Sequence, residues 1–353
     1  MLQHSLNDIL VRAIHGVVPS REDAIQILAL KDSASFQLVM AAAQKMRNQF
    51  FSDRLFLYGF IYLSTYCRNH CTFCFYRKTN KQSPRYRKSL EEVVEIACEL
   101  ANSGVHLVDL TLGEDPMIHD TGNFHILSQI IKLVKEKTGL PVMISPGAVP
   151  EEILHQFAAI KTDWYALYQE THNSILFKKL RIGQSFEGRN HKRNAARRAG
   201  MLVEDGILLG AGETLSDCAD SIMAMRQNNA DQVRAMSLVP QIQTPLRNMS
   251  GPSRTLECLC IAVMRLTMPD RLIPASLDVD GIKGLKMRLE AGANVITSII
   301  PPKNRLAGVS QSSMDIEQGL RSVPEVKKIV ADMGLRIANG NSYKSWMAAR
   351  KEK

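Results

Sequence analysis

The chain has 353 residues, 45% of them apolar and 22% charged, an ordinary globular balance with enough apolar material for a large buried core. No apolar run reaches the roughly 18 residues of a membrane span, and charges interrupt the amino-terminal MLQHSLNDILVRAIHG, a poor signal peptide, so a cytoplasmic protein without membrane contact is expected. The formal net charge of +9 invites nucleic acid, but the basic runs at 76–88, 188–198 and the carboxyl terminus lack interleaved aromatics for base stacking and read as a solvated face or contacts to a small anionic ligand.

The first fifty residues read as helices. Leu6, Ile9, Leu10, Ala13 and Ile14 keep helical spacing, and Ser20 caps a second segment. FLYGFIYLST (56–65) then reads as a strand buried on both faces. A helix follows, with Ser89 and Glu92 as its capping box and Gly104 as its stop. Seven further strand-like runs follow, HLVDLTLGE, LPVMISPG, DWYALYQE, MLVEDGILLG, QVRAMSLVP, LIPASLDVDG and NVITSIIPP, separated by helix-prone segments. Eight such units fit a (β/α)8 TIM barrel better than an open doubly wound sheet, and no GxGxxG follows the first strand. The expected organisation is an N-terminal helical extension over 1–50, a barrel over 51–310, and a C-terminal helical extension over 311–353 packed on the barrel.

In such a barrel the chemistry sits at the carboxyl ends of the strands. Cys67, Cys71 and Cys74 fall after strand one. Gly113, Glu114 and Asp115 end strand two, Glu170 ends strand four, Arg234 lies in strand six, and Ser276, Asp278 and Asp280 end strand seven. Seven cysteines, an odd and unevenly clustered set, do not form a disulfide framework. Structural zinc normally takes four ligands, often as two separated pairs. His70 closes that set awkwardly, and Cys258 and Cys260 point to different sides of a helix. Cys98 and Cys218 read as buried structural thiols. Three thiolates on a [4Fe–4S] cluster instead leave one iron open to another ligand.

The run Cys67-Arg-Asn-His-Cys71-Thr-Phe73-Cys74 resembles the C-x3-C-x-aromatic-C motif of the radical S-adenosylmethionine (SAM) superfamily. TLGEDP is similar to its strand-two glycine-rich motif, with one glycine, Gly113, before Glu114. DGILLGAGE resembles its strand-five pattern, with Gly206, Leu208, Gly210 and Glu213. YALYQET and LRIGQSFEGR resemble the branch that holds biotin synthase, the hydrogenase-cofactor maturases and the methylornithine synthase family. STYCRNHCTFCFYRK, SLVPQIQTPL and PASLDVDGIKG resemble that last family most. The resemblance implies one [4Fe–4S] cluster on the three cysteines and SAM as second cofactor. It also implies that Phe73 flanks the adenine, Glu114 holds the SAM amino group, and Glu170, Arg181 and Arg189 contact its methionyl part. The implied activity is rearrangement of L-lysine to (3R)-3-methyl-D-ornithine, first step of pyrrolysine biosynthesis, through a 5′-deoxyadenosyl radical.

A substrate with three charged groups needs fixed counter-charges. Arg234, in an otherwise apolar strand, is assigned to the lysine carboxylate, because an unpaired buried arginine is costly. Ser276 and Asp278, two apart and so on one strand face, are assigned to the ammonium groups, with Asp280 beside them. An internal Arg234–Asp278 pair is the competing reading. No protein acid or base is required beyond the cluster and SAM, and His119, His125, His172 and His191 read as surface or structural. A reducing electron-donor protein is the expected partner, with no nucleic acid. Two alternatives stay open: a maturase-like radical SAM lyase acting on another amino acid such as tyrosine, and a zinc-stabilised RNA-binding barrel.

Overall fold

Apolar and β-branched runs without alternation need cover on both faces, and a barrel surrounded by helices provides it. The computed structural model describes residues 4–301 and 321–352. The expected boundary at residue 310 lies outside them. The strands are β1 (Arg54–Ser64), β2 (Leu107–Leu112), β3 (Val142–Ser145), β4 (Trp164–Ala166), β5 (Leu202–Leu209), β6 (Gln232–Ser237), β7 (Pro274–Ser276) and β8 (Val295–Ile299). All pair in parallel, in the order β6-β5-β4-β3-β2-β1-β8-β7. The seam between β6 and β7 is closed by one bridge, Gln232 with Leu272, where the Val233 N–H donates to the Leu272 carbonyl at 3.0 Å. The eight strands form a nearly closed (β/α)8 barrel of the TIM type.

Local sequence sets the helix starts. Ser20, Ser89 and Thr214 each cap a helix with the side-chain oxygen, and their own backbone N–H groups donate in return to the acid three residues on, Asp23, Glu92 and Asp217. Helices Leu6–Ile14, Arg21–Leu28 and Ser33–Phe51 precede β1. Their buried faces join the main core between the strands and the outer helices.

The amino end of the barrel is plugged. The two-residue strand β9 (Arg336–Ile337) pairs with Arg54 and Leu55 of β1, and helix Gly340–Lys351 follows it. Tyr343 from that helix bonds the Tyr58 hydroxyl at 2.7 Å, and Trp346 stacks on Trp164 at 6.0 Å. His106 ties the plug down. Its Nδ1 accepts the Leu57 N–H at 2.9 Å and its Nε2–H donates to the Ala338 carbonyl at 2.8 Å, which fixes a neutral tautomer. With that floor filled, the two cavities bordered by the cysteine loop lie toward the carboxyl ends of the strands. No described helix is long and apolar enough to cross a membrane.

Candidate active site

The cysteines sit in the loop that leaves β1. Gly113, at the end of β2, is the platform on which this loop lies. A Cβ there would collide with the Tyr66 carbonyl and stand 2.8 Å from the Cys67 Cβ. The three thiols are free, and those of Cys67 and Cys74 are crowded and desolvated. Burial pushes Cys67 up to about 11, and burial together with Cys71 and Cys67 pushes Cys74 higher still. Three thiolates cannot coexist there without added positive charge. N–H groups already face the sulfurs. Gln184 Nε2 lies 3.1 Å and an Arg181 nitrogen 3.7 Å from Cys71 Sγ, and the Asn69 N–H reaches Cys67 Sγ at 3.5 Å.

Glu114 follows Gly113 directly. Its carboxylate accepts the Ala148 N–H at 3.1 Å and Arg68 Nε at 3.0 Å. Burial opposes its ionisation, but the Ala148 N–H, His119 and Arg68 outweigh that and hold it below the usual carboxylate range. Gly147 leaves the room for it, since a Cβ there would stand 2.7 Å from Glu114 Oε1. Glu170 adopts a positive φ of 68°, uncommon for a residue with a Cβ. A buried network behind it holds that backbone in place. Asp205 accepts the Gln169 and Gly206 N–H groups at 2.8 and 2.7 Å. Arg193 Nη2 and His172 Nε2 each lie 3.3 Å from the same carboxylate. Burial alone would raise the Asp205 pKa, yet Arg193 and His172 bring it down to about 2. So presented, Glu170 pairs with Arg181, whose guanidinium also lies 5.5 Å from the Phe73 ring centre. Arg189 clamps the end of strand four, donating to the Tyr168 carbonyl at 2.6 and 3.1 Å and to Gln184 at 3.1 Å.

A small cavity of about 140 Å³ separates the cysteine loop from Glu114, Arg181 and Arg189. Phe73, Cys74 and Arg181 also border a second cavity, of about 270 Å³, inside the barrel mouth. Arg234, Asp278, Glu170 and Asp109 line it, with Phe60, Tyr62 and Tyr168 among its apolar walls.

The internal pair that competed with the substrate reading does not form. Arg234 does not meet Asp278. Its Nε donates to Glu204 of β5 at 2.7 Å and an Nη to Thr297 at 3.2 Å, while the guanidinium lies 5.4 Å from the Tyr168 ring centre. Asp278 pairs with Arg321 at 3.1 Å. Ser276 lies behind the wall, its hydroxyl 3.3 Å from that of Ser298. Asp280 is not brought to the cavity at all. Past the end of β7 the chain turns into a short 3-10 helix, Gly281–Gly284, and Arg288 and Arg254 hold Asp280 at 2.7 and 2.9 Å.

Sequence reading missed Asp109. It is 6% exposed and lines the larger cavity; among the described residues its one hydrogen-bond donor is the Thr111 hydroxyl, at 3.1 Å. Burial, then repulsion from Glu204, raises its pKa to about 7, with Arg234 opposing and Asp278 adding to the rise. The signal was present in VDLTL, where Asp109 and Thr111 alternate inward as Arg234 does in β6.

Comparison with known proteins fits this geometry. Residues 61–224 match the family model of the radical SAM superfamily. The chain is 40% identical over 334 residues to the 3-methylornithine synthase of Methanosarcina barkeri, covering 95% of each. A crystal structure of a methylornithine synthase (PylB) superposes with a TM-score of 0.91 at 39% identity, over 97% of this chain and 100% of that one. The chain belongs to the radical SAM superfamily, in the 3-methylornithine synthase family. This family member is also 31% identical over 280 residues to the [FeFe] hydrogenase maturase subunit HydE of Thermotoga maritima, covering 78% and 79% of the two chains.

Radical SAM membership implies a [4Fe–4S] cluster and SAM, and the donors in this family member fit them. Among the described residues no three His, Cys, Asp or Glu side chains are spaced to hold a single metal ion. Three desolvated thiols facing N–H donors suit a wider, cationic iron centre with charge on its sulfurs. Gly113→Ala tests the platform. We expect a stable barrel, weakened by about 1–3 kcal/mol, that retains less than half the iron of the parent after anaerobic reconstitution. Full iron with unchanged melting would show that the loop does not depend on that contact.

Proposed function

We propose that the protein rearranges L-lysine to (3R)-3-methyl-D-ornithine, the entry step to pyrrolysine, with one [4Fe–4S] cluster on Cys67, Cys71 and Cys74. When bound, the cluster and SAM supply a 5′-deoxyadenosyl radical that takes hydrogen from the substrate. Glu114 is the acceptor for the SAM amino group, Phe73 a wall for its adenine, and Arg181, positioned by Glu170, faces its carboxylate. Arg189 acts behind them by holding the end of strand four.

The observation that carries the choice of substrate is the charge balance of the larger cavity. Of the charged residues that line it, Glu170 and Arg181 pair with each other, Arg234 pairs with Glu204 and Asp278 with Arg321 behind the wall, which leaves Asp109 as the carboxylate without a cation partner among the described residues. A cavity with one surplus negative charge suits an amino acid with one surplus positive charge. Lysine has it and tyrosine does not. Arg234, fixed by Glu204, offers its remaining N–H face to the substrate carboxylate, and Asp109 and Asp278 receive the ammonium groups. Ser276 supports Asp278, whose N–H lies 3.3 Å from the Ser276 hydroxyl. The aromatic walls keep water away from reactive carbon. Cytoplasmic location and a protein electron donor accompany this reading, supported by the absence of a membrane-spanning helix among the described residues and by the family's chemistry.

The assay is anaerobic. Dithionite-reduced, reconstituted protein given SAM and lysine should form methylornithine, whereas tyrosine should remain uncleaved. Tyrosine cleavage without lysine turnover would move the assignment to a lyase, and a colourless protein containing zinc and no iron would remove both radical readings.

A further inference from the structure

Gln184 sits in the turn between helices Ser174–Leu180 and Phe186–Arg198, a turn that Gly183 makes with a φ of 75°. The cysteine loop is fastened to the same place, because the Thr72 N–H donates to the Leu180 carbonyl at 2.9 Å. Cys71 and Gln184 therefore face each other from two joined pieces of backbone. The amide of Gln184 is held one way round. Its Oε1 accepts one Nη of Arg181 at 3.2 Å and one of Arg189 at 3.1 Å. Turning the amide over would set its NH2 group against two guanidinium groups, which only donate. Nε2 is thereby left facing Cys71 Sγ, at 3.1 Å. Two cationic donors on the oxygen polarise the amide and strengthen its N–H as a donor.

We infer that Gln184 sets the reduction potential of the metal centre by donating its N–H to the Cys71 sulfur. The inference rests on the proposed function, in which Cys71 is a cluster ligand. One added electron places more negative charge on the ligating sulfurs. An N–H aimed at one of them therefore stabilises the reduced form more than the oxidised form and raises the potential. Gln184 acts through Cys71 and is a positioning residue, not a catalytic one. A Gln184 with a structural role alone would work through its oxygen, as the acceptor shared by Arg181 and Arg189, and its N–H would be dispensable.

The test is a redox titration of the reconstituted holoenzyme with dithionite, read by electron paramagnetic resonance in the absence of SAM and lysine. Gln184→Met removes the donor at similar volume. At a fixed solution potential the ratio of reduced to oxidised cluster should fall about tenfold, or about 59 mV for a one-electron couple. Gln184→Glu keeps an acceptor for both arginines and turns an oxygen toward the sulfur, so its ratio should fall at least as far. In the reduced parent an exchangeable proton coupled to the cluster should disappear on substitution by methionine. Parent potentials in both variants would overturn the inference. So would weaker SAM binding by Gln184→Met at the parent potential, the pattern of an arginine acceptor alone. Loss of most of the iron from both variants would also overturn it, since Gln184 would then be a support for the loop. Failure of the proposed function shows separately, as a parent protein with a reducible cluster that forms no methylornithine.

Discussion

Cys71→Ala should give a folded barrel that forms no methylornithine and cleaves no SAM. Cys71 is the buried member of the triplet, and its sulfur meets Gln184 and Arg181. Two thiols left in that loop cannot hold the cluster in its three-ligand form, so iron content should fall well below that of the parent. Turnover should drop by more than about 10³-fold, since no other group in the cavity supplies the chemistry. The loss of one small side chain from a loop costs about 1 kcal/mol, so the melting transition should remain cooperative and shift by a few degrees. Stoichiometric iron, or SAM cleavage at the parent rate, would show that the cluster sits elsewhere.

Asp109→Asn should abolish the pH dependence of substrate affinity and weaken binding by about 10²–10³-fold, the cost of leaving a buried ammonium without its counter-charge. In the substrate-free protein the Asp109 carboxyl is raised to about 7. It faces Thr111 on its own strand, Glu204 on β5, Arg234 on β6 and Asp278 after β7. An ammonium group binds the ionised form, so below pH 7 binding must expel a proton. Lysine affinity should then fall about tenfold per pH unit below 7 and level off above it. Calorimetry in buffers of different ionisation enthalpy reads that proton directly. Stability has the corresponding sign. Between about pH 4 and 7 the folded chain holds a proton that the unfolded chain has released, so stability falls as pH rises through that window. The asparagine variant should consequently be the more stable protein at pH 8, by roughly 2–4 kcal/mol. An affinity that is flat from about pH 5.5 to 8, with no proton released, would exclude Asp109 from the ammonium site.

The barrel was legible because each strand is a short run of apolar and β-branched residues closed by Gly, Pro or an acid, and such runs have few other homes. The cysteine loop was legible because its chemistry lies within eight positions. Pairings between strands were not. Arg234 stood out as a lone cation in β6, but its partner Glu204 is thirty residues earlier, inside a strand that reads as VEDGILL and gives no sign of which acid faces inward. Asp278 likewise found Arg321, beyond β8. Asp280 failed for a local reason: alternation places residues on one face only while the strand lasts, and β7 ends at Ser276. A C-terminal helix was expected, but its seat at the amino end of the barrel was hidden by its composition, because GNSYKSWMAARK is mostly polar and buries only Tyr343, Met347 and Arg350.

That helix imposes an order on biosynthesis. On the ribosome, β1 to β8 emerge with an open lower end, and the contacts of Tyr58, Trp164 and His106 stay unmade until residues 338–347 have left the exit tunnel. Arg350 then locks the arrangement, since its Nε binds Asp231 beside the β6–β7 seam. Until then the β6–β7 seam has only its Gln232–Leu272 bridge among the described residues. A protein released from synthesis short of Tyr343 should be a substrate for proteases before it is ever a substrate for cluster assembly.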